Sequence, residues 1–153
     1  MIMGKRILAF LRNTRGSMAI ETAIVAPVLI LMTLGTFEAS TIVARQHELQ
    51  TGAAEGEIIA MAAAQGALTN AAEIQTIIAD SLDLPLEKVV VQRLYRCDAN
   101  TNRVSAKSAC GTDAVVTSYM QIKITDTYTP VWTQFGVGGP IDFEVDRMVV
   151  LLS

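Results

Sequence analysis

The residues of this chain that could do chemistry are few. Cys97 and Cys110 bracket the polar run "DANTNRVSAKSA". Two thiols at the ends of a loop can close a disulfide in an oxidising compartment, and stay free thiols otherwise. For a loop of about 15 residues, closure contributes about 3 kcal/mol in the chain-entropy model. His47 is the only histidine. Structural zinc normally takes four ligands, so no metal is expected. Asp98, Asn100 and Asn102 imitate the opening of a calcium loop, but Arg103 stands where that loop needs Gly and Ala109 where it needs Glu. The run "GVGGP" (136–140) lacks the G-x-G-x-x-G spacing and opens no helix, so no nucleotide is implied. There is no Ser-His-Asp order and no paired-acid motif, and the expectation is a non-enzyme without cofactor. One carboxylate demands an account: Glu21 within "RGSMAIETAIVAPVLILM" (15–32).

That carboxylate sits in a segment built to cross a membrane. The chain has 153 residues, 51% hydrophobic and only 5% aromatic, so the apolar surplus is aliphatic and favours a long helix over an aromatic core. From Ser17 to Phe37 the only charge is Glu21. About 20 apolar residues span a bilayer as a helix, and Pro27 at most kinks one. Four of the 12 basic residues, Lys5, Arg6, Arg12 and Arg15, lie in residues 1–16, with none of the 15 acids. By the positive-inside rule this leader stays cytoplasmic and the C-terminal body lies outside. The body then holds eight basic against 15 acidic residues, a balance that argues against nucleic-acid binding. It also places the two cysteines where a disulfide can form. An acid at the centre of a span costs about 2.5–3.5 kcal/mol, less near its end. Glu21 either marks the cytoplasmic interface or awaits a cationic partner within the membrane.

The phrase "RGSMAIE", a basic leader and Gly followed by an apolar run with Glu at the fifth position, resembles the leader of type IV pilins and pseudopilins. The wider phrase "RGSMAIETAIVAPVLILMTLGTFE" resembles the TadE-like minor pilins and pseudopilins of tight-adherence (Tad, Flp) systems, over Arg12 to Glu38. The resemblance implies that a prepilin peptidase cuts after Gly16 on the cytoplasmic side, making Ser17 the new N-terminus. Glu21 becomes the fifth mature residue, and Pro27 falls where these proteins commonly carry proline. The partners implied are other pilin and minor pilin subunits, the peptidase and an inner-membrane assembly platform. One position departs: prepilins of this system often have an aromatic after the Glu, and here Thr22 stands there. Ser17 and Glu21 are four residues apart, about 6 Å of helix rise. The carboxylate can therefore meet an N-terminal amine, more readily that of a neighbour offset by a turn, and act as a register key for docking.

The elements that must position these residues follow from periodicity. One helix is expected from Ser17 to Gln65, bent near Gly52, with an amphipathic second half. A second covers Asn70–Leu84, capped by Thr69 or Asn70 and ended by Pro85. Strands are expected at Glu87–Cys97, Ala114–Pro130 and Ile141–Ser153, where apolar and polar residues alternate. Trp132 and Phe135, in the loop Val131–Pro140, are expected to fold over the core edge; an exposed partner-binding loop is the alternative. The fold class is α+β: a long N-terminal helix on a small antiparallel three-strand sheet with a second short helix. The organisation expected is a leader (1–16), a transmembrane half-helix (17–37), an extramembrane helix (38–68) and a globular domain (69–153). The leading function is a processed pilus-assembly subunit in the bacterial inner membrane, its body periplasmic or carried into the pilus. The alternative is an uncleaved, signal-anchored envelope adaptor.

Overall fold

The computed structural model describes residues 14–65 and 70–151, with side chains from residue 18 onward. The leader residues 1–13, the expected boundary at 68/69 and the last two residues of the C-terminal strand lie outside the described residues. Two compact units, Met1–Thr41 and Ile42–Ser153, divide the chain.

Helix α1 (Thr14–Ala64) is a single 51-residue element with Pro27 inside it. In its first unit the apolar side chains face outward on all sides; Met18, Ile24, Leu31 and Phe37 are all exposed. An all-round apolar helix is the pattern of a membrane span or a tightly packed bundle. The span is long and apolar enough to cross a membrane. Ser17 to Phe37 would rise about 31 Å, close to the ~30 Å hydrocarbon thickness.

Beyond Ile42 the same helix becomes one-sided. Leu49, Ala53 and Ala60 are fully buried, and with Gly56 they fall at alternating steps of four and three, one stripe of a helix. The stripe is small for a reason. A Cβ at Gly52 would lie 2.8 Å from Leu82, and one at Gly56 would run into Ile78 and lie 3.1 Å from Ile122. α1 runs on through both glycines, which make room for the side chains above them.

Helix α2 (Ala71–Ser81) begins at Asn70 with a reciprocal capping box. The Glu73 amide donates to Asn70 Oδ1 at 3.0 Å, and the Asn70 amide donates to Glu73 Oε2 at 3.2 Å. Such caps satisfy donors that the first turn leaves orphaned. The helix ends earlier than the expected Leu84, because Asp83 takes a positive φ of 52° that a helix cannot propagate. Ile74, Ile78 and Ala79 form its buried face.

The sheet has four antiparallel strands, not three: β1 (Val89–Cys97), β2 (Arg103–Val104), β3 (Val116–Tyr128) and β4 (Ile141–Leu151), in the order β2-β1-β3-β4. The additional strand is two residues long, pairing Tyr95 with Val104 and Arg96 with Arg103. Too short to alternate, it has no periodic signal to read. One sheet face is apolar. Val89 and Val91 of β1, Met120, Ile122 and Ile124 of β3, and Phe143, Val145, Val149 and Leu151 of β4 share the core with the stripe of α1 and with Ile74, Ile78 and Leu82. The other face is polar and cross-linked. Gln92 donates to Gln121, Gln121 donates to Asp146, and Lys123 pairs with Glu144 at 2.9 Å.

Arg45 fastens α1 to this body. Its Nε donates to Asp126 at 2.7 Å and one of its terminal nitrogens pairs with Glu48 at 2.8 Å. Burial alone would lower the Arg45 pKa, but the hydrogen bonds to Glu48 and Asp126 outweigh it and the net shift is upward. The guanidinium therefore stays charged throughout the physiological range. The small stripe has a direct test. Gly56→Val should lose about 1–3 kcal/mol by overpacking, read as a lower thermal midpoint of the detergent-solubilised chain. An unchanged midpoint would contradict the contact described here.

Candidate functional site

The first candidate lies on the N-terminal part of α1. Glu21 is exposed, in a shallow groove lined by Met18, Thr22, Val25, Ala26 and Leu29. These residues recur at steps of three and four, so the carboxylate sits within an apolar stripe of one helix face. Gly16 and Ser17 lie in helical backbone, within the first turn of α1. Pro27 lies eleven residues past Gly16, and the helix continues beyond it. Having no N–H, proline leaves the carbonyl four residues earlier, at Ala23, without its usual helical donor.

The hydroxyls of this segment are internally satisfied. Thr22, Thr33 and Thr36 donate to the carbonyls of Met18, Leu29 and Met32 at 2.8, 2.8 and 2.9 Å. Thr41 does the same to Phe37 at 3.1 Å. Each bond is to the residue four back, so none of these side chains needs water or a neighbour. Thr22, which departs from the pilin pattern, adds no unmet polar group to the span.

The second candidate is the loop between β1 and β3. Cys97 and Cys110 are joined by a disulfide, with Cα atoms 5.4 Å apart, within the usual range. Asp98 closes the loop beside them. Its amide donates to the Val115 carbonyl at 2.7 Å, and its carboxylate accepts from the Val115 amide at 2.8 Å. Asn100 Oδ1 accepts from the Asn102 amide at 3.2 Å. These side chains shape a turn, which is the ordinary use of Asp and Asn at such places. Among the described residues no cluster of three or more His, Cys, Asp or Glu could hold a metal ion. His47 is exposed on α1.

The glycine-rich loop departs from expectation. Phe135 is 76% exposed and Val137 61% exposed. Phe135 therefore does not cover the core edge, while Trp132 is half-buried. The segment Val131–Phe135 forms a 3₁₀ turn, ended by Gly136 at a φ of 73°, a left-handed conformation that favours glycine.

Sequence reasoning missed one cluster. Arg96 and Arg103, opposite each other on β1 and β2, both place their guanidinium groups over the Tyr119 ring, at 5.6 and 5.1 Å from its centroid. The residues are seven apart in sequence, and only the tight β1–β2 hairpin faces them together.

These observations define a class: a protein with one N-terminal helix compatible with a single-pass membrane anchor and a small disulfide-bonded α+β body. Residues 16–56 match the protein-family model described as TadE-like protein, so over this part the chain is similar to that family. That family is a structural pilus component and not a family of enzymes. No curated protein and no solved structure gave a significant match.

The staple has a measurable weight. The bridged residues are 13 apart, and closing a loop of about this size contributes about 3 kcal/mol in the chain-entropy model. Replacing both cysteines, as Cys97→Ser with Cys110→Ser, should lower the urea midpoint of the oxidised chain accordingly. Adding a reductant should then have no further effect on the variant.

Proposed function

We propose that this chain is a minor pilin or pseudopilin acting in the assembly of a Tad-type pilus. A prepilin peptidase removes the basic leader after Gly16, and the apolar helix holds the protein in the bacterial inner membrane until assembly. The observation that carries this reading is the TadE-like match, which begins at Gly16 itself and runs through an apolar segment, 17–37, bearing one acid. Gly16 lies in the helical backbone of α1, which glycine weakens by about 1 kcal/mol relative to alanine. That weakening favours access to the scissile bond.

Cleavage converts the Ser17 nitrogen into an ammonium. Glu21 lies one turn further on, in the apolar groove that a neighbouring helix would cover. Joining a neighbour's Ser17 ammonium to this carboxylate offsets the desolvation of both, and removing either leaves an uncompensated charge in a low dielectric. The pair therefore sets the register between subunits, and Pro27 locally loosens the helix that must leave the bilayer. The disulfide supports a body outside the cytoplasm, since such bonds persist in oxidising compartments.

Intact mass of the membrane-extracted protein is the decisive measurement. In cells with an active prepilin peptidase the chain should begin at Ser17, and a chain still beginning at Met1 would sink the processing step. Glu21→Ala should leave membrane insertion and body folding unchanged while abolishing co-isolation with other pilin subunits. If co-isolation survives, an uncleaved envelope adaptor, binding through its body alone, becomes the better reading.

A further inference from the structure

The polar face of the sheet carries one feature that neither the membrane helix nor the disulfide accounts for. Arg96 and Arg103 face each other across β1 and β2. Like charges directly opposite in an antiparallel pair destabilise it, and β2 is only two residues long. Two other cations of the body are paired: Arg45 holds Glu48 and Asp126, and Lys123 holds Glu144. Among the described residues, neither Arg96 nor Arg103 has an ion pair or a hydrogen bond from its side chain. The Nε–H of Arg96 is moreover buried with no acceptor, an arrangement rare enough in folded proteins to call for an explanation.

What lies around the two guanidinium groups points to a ligand. Tyr119 is 7% exposed, and its ring holds both groups by cation–π contact, which orders them without neutralising either. Tyr119 pairs with Leu94 on one side and Val150 on the other, so the cations border an apolar row. Val150 is half exposed. The disulfide at Cys97 immediately follows Arg96 and restrains the loop that carries Arg103. A short strand carrying repelling charges is thus kept in place by a covalent staple and an aromatic platform.

We propose that Arg96, Arg103 and Tyr119 form a docking site for a carboxylate on an acidic segment of a partner protein. Arginine forks bind carboxylates through paired, charge-assisted hydrogen bonds; Arg103 is exposed and Arg96 partly so, and the unmet Nε–H of Arg96 keeps its guanidinium without a protein acceptor. The adjoining Leu94–Tyr119–Val150 row favours a protein segment over a free anion. Tyrosine and arginine beside apolar side chains are the composition enriched at the energetic centres of protein interfaces. This contact uses the sheet and needs neither Glu21 nor leader cleavage, so it stands apart from the function proposed above.

The full chain in detergent, with isotope-labelled arginine, allows a direct test by NMR of the arginine Nε–H signals. Three probes are titrated: a capped tetraglutamate peptide, the matching tetraglutamine peptide, and inorganic phosphate. The tetraglutamate peptide should move the Arg96 and Arg103 signals saturably, leave that of Arg147 in place, and bind about tenfold more weakly to the Arg96→Gln, Arg103→Gln double variant. The tetraglutamine peptide should not move them. Equal binding of both peptides, shifts spread over all arginines, or unchanged affinity in the double variant would overturn the site. Binding of phosphate without binding of the glutamate peptide would overturn the assignment to a protein carboxylate. Because the wild-type shifts are read directly, a folding defect in the variant would not obscure the result.

Discussion

Close approach between α1, α2 and the sheet depends on what is missing from one helix face. Gly52 and Gly56 leave space that Leu82, Ile78 and Ile122 occupy, and Ala53 and Ala60 continue the same low ridge. Interiors pack at crystal-like density, so a ridge this low brings the backbones together and makes even a methyl group matter. Larger residues on the facing elements, Ile74, Ile78, Met120 and Ile124, then fill the layer. From Met18 to Phe37 the same helix has no such ridge and exposes apolar side chains on every side. One element thus meets two packing regimes, and its sequence changes from aliphatic to alanine-rich where the regime changes.

Much of this architecture was legible in the residues. The long helix, the strands of 89–97, 116–128 and 141–151, and the Asn70 cap follow from periodicities and caps that local sequence expresses directly. The misses share a physical cause: they depend on distant partners. That Gly52 and Gly56 make a close contact depends on Ile78 and Leu82, which lie far along the chain. Arg103–Val104 is a strand because β1 and the disulfide hold it there, not because two residues carry a pattern. Phe135 looks like a core residue by composition, yet the 3₁₀ turn and Gly136 direct it outward.

The candidate sites divide in the same way. The Gly16–Glu21 phrase and the spacing of Cys97 and Cys110 are local, and both could be named before any coordinate was known. That the cysteines meet an oxidising compartment is an expectation that rests on charge at the other end of the chain. The assembly of Arg96, Arg103 and Tyr119 required a strand register, since Tyr119 lies on a third strand far along the chain. Polar surfaces of small sheets hide such constellations well, because each residue separately resembles ordinary solvated surface.

The threonine hydroxyls of the N-terminal helix have a consequence for recognition. Because Thr22, Thr33 and Thr36 each bond their own backbone, the segment from Met18 to Phe37 presents a surface nearly as uniform as an all-aliphatic helix. Uniform surfaces carry little positional information: a neighbour could slide along or rotate about such a rod with small penalty. Glu21 is the one charged side chain there. Under the function proposed above, a single mark on an otherwise blank rod would define both a depth and an angle, which is all that two parallel helices need to find one alignment.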